Sequence, residues 1–305
     1  MLVRLLAVLA ALAGLTCAPR ASAAPAAPGC SALPPTVPGT TVGLSLTSGG
    51  RNRSYLLHVP AGYVAGHSFP LIIAFHGRAQ TDRMIENYSN LDALPAIIEY
   101  PQGTDTGKGE LGWQGAPYSA PGVDDVLFSH DLIDMTRRQL CVDSNRIYAT
   151  GKSNGAGFVG ILGCRMSTTF AAIAPDAGAF YRTGAPCAPR RPIPVLDFHG
   201  TADPAIPYNG NPRRRLPSIP DWLAGWAGRD GCTVGPARFF QRNDVVGERW
   251  TGCRGHSTVQ HYRIDGGGHT WPGATSRSGP GSTTQTISAT QVMWQFFTAH
   301  PLTGS

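Results

Sequence analysis

The 305-residue sequence predicts an α/β three-layer sandwich built on a mostly parallel sheet. Two patterns carry that expectation. Short continuous apolar runs recur along the chain, as strands buried on both faces of a parallel sheet require. Segments with helical spacing alternate with them, which is the order of βαβ units rather than of separate all-α and all-β parts.

In chain order, 41–46 and 54–59 alternate apolar and polar residues around Ser48-Gly49-Gly50 and read as a hairpin. Leu71-Ile72-Ile73-Ala74-Phe75 is the first buried strand and ends at His76-Gly77. Further buried strands are expected at 96–100, 146–150, 170–174 and 193–198, with a last one at 262–265 before Gly266-Gly267-Gly268. Between them, 123–140 places Val126, Ile133 and Leu140 on one stripe and starts with two aspartates suited to the helix dipole. The segment 154–166 is small and apolar, fit for tight packing on a sheet. The segment 288–298 opens with Ser288 and Gln291 in capping-box spacing.

Composition excludes several classes. With 42% hydrophobic and 14% charged residues, the chain is not intrinsically disordered. The net charge of +6 comes mostly from scattered arginines, and Arg190-Arg191 and Arg213-Arg214-Arg215 sit among prolines without interleaved aromatics. Nucleic acid is therefore not an expected partner. Of the 25 basic residues only Lys108 and Lys152 are lysine. The 38 glycines and 26 prolines imply many tightly shaped loops.

The first residues read as a secretory signal peptide: a basic start to Arg4, an apolar stretch from Leu5 to Leu15, and a small-x-small site at Ala21-Ser22-Ala23. The apolar stretch is too short to span a bilayer, and Gly14-Leu15-Thr16 before Cys17 matches a lipoprotein site poorly, so no stable membrane association is expected. The expected organisation is a signal peptide over 1–23 and one domain over 24–305, secreted. Cleavage leaves 305 − 23 = 282 residues and 23 − 19 = +4 charges. It also leaves six cysteines, Cys30, Cys141, Cys164, Cys187, Cys232 and Cys253, which in an oxidising compartment imply three disulfides. Six cysteines allow fifteen pairings; Cys232 with Cys253, flanking a strand turn, is the best single pair. Asn52 and Asn87 stand in glycosylation sequons.

The chemistry is concentrated in Gly151-Lys152-Ser153-Asn154-Gly155. G-x-S-x-G is short, but here it follows an expected strand and opens an expected helix, the setting of a nucleophile elbow. A serine hydroxyl needs a base, and the base needs an orienting acid. In hydrolases with this elbow the order is Ser, then Asp or Glu, then His. Asp203 lies just beyond the strand 193–198, where ligands bind in such sheets; Asp197 and Asp176 are the alternatives. Among the later histidines His256, His261, His269 and His300, His269 sits on a loop behind three glycines and is the candidate base. The backbone N–H groups of Asn154 and Arg78 are the candidate oxyanion hole. Trp113, Tyr118, Tyr208 and Trp271, in loops, are candidate substrate-binding aromatics. H-E-x-x-H, Walker and dinucleotide motifs are missing, so neither a metal nor a cofactor is expected.

With these residues in hand, the chain resembles the secreted feruloyl esterases related to polyhydroxybutyrate depolymerases, in the first carbohydrate esterase family. The resemblance rests on PLIIAFHGRAQT, IIEYPQG, GWQGAPY, VDDVLFSHDLID, RIYATGKSNGAGF, FHGTADPAIPYNG and GGGHTWPG, and covers nearly the whole mature chain. It implies an α/β-hydrolase fold and a serine esterase acting on feruloylated xylan or small aromatic esters, with Ser153, Asp203 and His269 as triad. Polyhydroxybutyrate and acetylated xylan are the alternative substrates, and a secreted protein that binds without catalysis is the remaining class. The oligomeric state stays open.

Overall fold

The computed structural model describes residues 28–184 and 186–302. The expected signal peptide lies outside these residues. Twelve strands and five α-helices alternate along them. In order they are β1 (Thr40–Ser48), β2 (Arg51–Val59), β3 (Phe69–Phe75), α1 (Asp82–Ser89), β4 (Ile97–Pro101), β5 (Thr104–Asp105), β6 (Leu111–Gly112), α2 (Asp125–Gln139), β7 (Val142–Lys152), α3 (Asn154–Arg165), β8 (Ala172–Asp176), β9 (Val195–Gly200), α4 (Ile219–Asp230), β10 (Val234–Arg242), β11 (Val245–Thr251), β12 (Val259–Ile264) and α5 (Ala289–Ala299).

Ten strands form one sheet in the order β1-β2-β4-β3-β7-β8-β9-β12-β11-β10, and β5 pairs with β6 separately. The six central strands run parallel. An antiparallel hairpin closes each edge, β1-β2 on one side and β10-β11 on the other. Every central strand is buried on both faces, for instance Leu71 to Phe75 at 0% exposure, so both faces must carry helices. Phe128 and Leu132 of α2, Phe158 and Leu162 of α3, and Leu223 and Trp226 of α4 fill one layer. Ile85 of α1 and Met293 and Phe297 of α5 fill the other. The α/β-hydrolase sandwich expected from sequence is the observed fold.

Local chemistry sets the helix starts. Asp124 caps α2 by accepting from the Leu127 N–H, and Ser288 caps α5 by accepting from that of Gln291. Asp125, expected as a dipole partner, instead turns inward to a buried ion pair with Arg53 at 2.8 Å. The sequence pattern leaves out α1 and α4, and it gives the β10-β11 hairpin only as a strand turn between Cys232 and Cys253, without bounds. It also begins the last strand at 262, whereas β12 starts at Val259. Three disulfides join Cys30–Cys141, Cys164–Cys187 and Cys232–Cys253, the last across the base of the β10-β11 hairpin.

Candidate active site

Adjacent parallel strands bring their carboxyl ends together, and the candidate residues hang from those ends. Ser153 follows β7 directly, Asp203 lies three residues past β9, and His269 lies five past β12. Because β12 pairs with β9, placing Ile264 opposite Gly200, the loops that carry acid and histidine leave the sheet side by side.

Ser153 adopts φ 57° and ψ −117°, a strained conformation that turns the chain from β7 into α3. Its N–H donates to Asp176 O at 3.0 Å, and its carbonyl accepts from Gly157 and Ala179, so the strain is held from both sides. The elbow glycines are required by contact. A Cβ on Gly155 would lie 2.2 Å from Phe75 O, and one on Gly151 would lie 2.7 Å from the same atom. Helix α3 therefore crosses β3 with no room for a side chain, and Ser153 is left half-buried at the surface.

The His269 Nδ1–H donates to Asp203 Oδ2 at 2.7 Å, since a carboxylate can only accept; this leaves Nε2 as the basic nitrogen. The other Asp203 oxygen accepts from the N–H groups of Ala205 and Ile206, both at 2.8 Å. Burial alone would raise the Asp203 carboxyl. The hydrogen bond and charge of His269, with His199 and the Ile206 N–H, outweigh it and hold the group below its ordinary value. Burial, then the nearby Lys152 ammonium, pushes His269 down to about 4 despite Asp203, so the imidazole is neutral at ordinary pH.

His199 was not singled out from sequence, although it stands in the FHG that ends β9. Its Nε2–H donates to Ile206 O at 2.9 Å and lies 3.4 Å from Asp203 Oδ2, backing the acid. Gln80 was also missed. Its Oε1 accepts from the Gly77 N–H at 3.0 Å and the Tyr88 hydroxyl at 3.1 Å, and its Nε2 donates to Ser278 O at 3.3 Å. One side chain thus ties the turn after β3 to the segment beside His269. In that turn the Gly77, Ala79 and Gln80 amides are engaged by Gln80 Oε1, Leu111 O and Gly77 O. The Arg78 N–H is the turn's remaining donor. The Asn154 N–H opens α3, where the first turn has no intrahelical acceptor. The Asn154 side chain is fixed by the Trp113 N–H, which donates to Oδ1 at 2.7 Å.

The alternatives lead elsewhere. Asp197 Oδ2 lies 2.9 Å from His261 Nδ1, and His261 Nε2 meets the Tyr208 hydroxyl at 3.0 Å. This second carboxylate–imidazole chain is embedded in β9 and β12 and closed by Tyr208. Asp176 is buried opposite Lys152 in the β7-β8 register.

Two of the four expected substrate aromatics, Trp113 and Trp271, are corrected by the structure. Trp113 is 0% exposed, stacked on Phe158, with its indole N–H donating to His76 O. Trp271 is 1% exposed and donates to Thr290. Both are core residues, because a large ring with its one donor satisfied is most stable when fully enclosed. Tyr208 spends its hydroxyl on His261. Tyr118 and Tyr208 both remain partly exposed, Tyr118 under the Arg78 guanidinium at 4.2 Å and edge-on to Tyr181. A cavity of about 380 Å³ adjoins Asn154 between α3 and α4, with Gly157, Ile161, Phe180, Tyr181 and Trp222 among its walls. Its aromatic side depends on α4, which the sequence reading did not place. Among the described residues no group of three or more His, Cys, Asp or Glu is arranged to hold a metal, and no helix is long and apolar enough to cross a membrane.

No protein-family model matches the chain. Among curated proteins, feruloyl esterase B of Piromyces equi is 30% identical over 231 residues, 71% of this chain and 42% of that protein. The chain thus spans less than half the length of that relative. A Nocardia uniformis subsp. tsuyamanensis protein named as an esterase is 29% identical over 79% of this chain and 77% of its own length. Among solved structures, an acetyl xylan esterase from Aspergillus awamori shares 15% identity at a TM-score of 0.57, covering 84% of this chain and 99% of that one. A ferulic acid esterase from Anaeromyces mucronatus shares 17% identity at a TM-score of 0.51, covering 76% of this chain and 85% of that one. The structural likeness bears on fold, that of the α/β-hydrolase esterases, and the sequence likeness on kinship with proteins named as feruloyl esterases.

Proposed function

We propose that this chain is a secreted serine esterase that releases ferulate or a related hydroxycinnamate from feruloylated plant cell-wall xylan. The observation that carries the serine mechanism is the Asp203–His269 hydrogen bond of 2.7 Å, at the same carboxyl end of the parallel strands as the strained Ser153 elbow. In this reading His269 Nε2 takes the Ser153 proton as Oγ attacks the ester carbonyl. Asp203 stabilises the imidazolium, and the Asn154 and Arg78 amides hold the oxyanion. The protonated imidazole then gives its proton to the leaving alcohol, and water, activated by the same nitrogen, releases the acid. The names of the fungal relatives and the aromatic walls of the cavity by Asn154 support a planar aromatic acyl group. The name of the Aspergillus awamori neighbour keeps acetate as the second reading. Three disulfides support an oxidising compartment and, with the leader-like residues 1–23, export.

Ser153→Ala abolishes ester hydrolysis while leaving the thermal unfolding midpoint in place; a variant with full activity sinks the serine mechanism. The acyl group is read by comparing hydrolysis of methyl ferulate and feruloylated arabinoxylan with that of acetylated xylan and 3-hydroxybutyrate oligomers. Preference for either aliphatic ester overturns the feruloyl assignment.

A further inference from the structure

Arginine supplies all but two of the chain's 25 basic residues, and one of the two lysines is Lys152, next to the candidate nucleophile. Its side chain is 1% exposed. It ends β7 opposite Asp176 of β8, on the face where Tyr148 and Thr150 meet Phe297 and Met293 of α5. The alternation of the strand puts it there, beneath the loops that carry Asp203 and His269. The ammonium abuts Gly279: a Cβ on that glycine would lie 3.0 Å from Nζ and 1.9 Å from the His269 carbonyl oxygen. The Lys152 head group and the His269 backbone therefore press on the same residue from two sides.

Burying an ammonium costs several kcal/mol before its partners are counted. The partners are acidic. Asp176 faces it from β8, fully buried with Oδ2 lacking a hydrogen-bond partner, and Asp203 faces it from the loop after β9. Around them lie His269 from the loop after β12, His199 behind Asp203, Asp197 of β9 beside Asp176, and Tyr88 of α1 beside Asp176. The packed helix α5 carries no titratable side chain. A compact ammonium fits this space and titrates, whereas a guanidinium would bring five donors and a charge that never leaves.

We propose that Lys152 is a positioning residue for the esterase reaction: its buried ammonium, next to Ser153 and against the His269 loop, holds the histidine in its neutral, proton-accepting form into the acid range. It touches neither substrate nor the transferred proton; it acts through His269. The same group loses its own proton readily, since burial pushes it down to about 8 against the pull of Asp176 and Asp203.

The proposal rests on Ser153, Asp203 and His269 acting as the triad, and its test separates the two. The pH dependence of kcat/KM for 4-nitrophenyl acetate is measured on the full chain, on Lys152→Met and on the double variant Lys152→Met/Asp176→Asn. The double variant removes the carboxylate that the single one would leave buried and unpaired. In whichever variant folds, the acid limb moves up by about one pH unit, the size expected for losing one nearby charge in a partly buried site. An acid limb that stays in place, whether activity is kept or falls equally at every pH, overturns the proposal and leaves Lys152 a packing residue. Ser153→Ala is run in parallel: hydrolysis that survives it defeats the triad assignment, while its loss with an unmoved limb defeats only the role of Lys152.

Discussion

Replacing Gly155 with alanine tests the elbow through one methyl group. The new Cβ would stand 2.2 Å from Phe75 O and 2.5 Å from His76 O, where ordinary contact begins near 3.4 Å. Relief requires α3 to withdraw from β3 by about 1 Å, because both obstacles are backbone atoms of a central strand and its end. Overpacking of that kind costs about 3 kcal/mol, which in a domain this size lowers the unfolding midpoint by roughly 6–12 °C. The withdrawal also carries the Asn154 N–H and Ser153 Oγ away from their reacting positions. A misplacement of about 1 Å costs on the order of 10²-fold in kcat. Calorimetry and steady-state hydrolysis of 4-nitrophenyl acetate check both effects, with Gly62→Ala as control, since nothing lies within 4 Å of a Cβ there. A Gly155→Ala protein with the parent midpoint and kcat would refute the claim that close helix–strand contact shapes the elbow.

Asp203→Asn keeps the shape of the acid but donates its amide or offers a weaker acceptor to His269, so kcat falls by about 10³–10⁴ at neutral pH; activity within tenfold of the parent would show that another carboxylate orients the histidine. For the unaltered protein the acid limb of kcat/KM lies well below the usual histidine range, because His269 accepts a proton only near pH 4, and a limb near 6.5 contradicts the burial argument. Glu99, 0% exposed in β4 and bonded by the Thr136 hydroxyl, is pushed up to about 8 by burial. Its folded pKa exceeds its unfolded one of 4.5, so its contribution is complete below 4.5 and is lost as pH rises toward 8. Glu99→Gln therefore gains stability over the parent from pH 5 to pH 8 by thermal unfolding, and parallel curves across that range count against it.

The parallel strands were legible because burial on both faces writes itself as unbroken apolar runs such as Leu71 to Phe75. The elbow was legible because its glycines are forced by backbone contact, leaving a fixed pattern around Ser153. The β10-β11 hairpin was legible only as a turn between Cys232 and Cys253, since β10 is largely exposed and its pattern does not declare a buried face. Helix α4 hid behind Ser218 and Pro220, which read as loop residues but serve as its cap and first turn. Trp113 and Trp271 misled for the opposite reason: their neighbours are glycine- and proline-rich, yet each ring turns into the core with its N–H satisfied. Gln80 acts through Ser278, distant in the chain, and such a partnership leaves no local spacing to read; the partners of His199 are only four and seven residues on, but the pairing exists only once the loop after β9 folds back on the strand end.

Gln80 has a consequence for how the proposed esterase would change its substrate. By joining Gly77, Tyr88 and Ser278, it fastens the turn after β3, the oxyanion side in the proposed mechanism, to the segment beside His269 with one amide. The walls of the cavity beyond Asn154 come from other stretches, around Tyr181 and Trp222, that take no part in this linkage. Insertions and substitutions there can reshape what is accepted without loosening what reacts. In the proposed esterase a change of acyl group then needs no re-invention of the chemistry, only a new set of walls around an anchored centre.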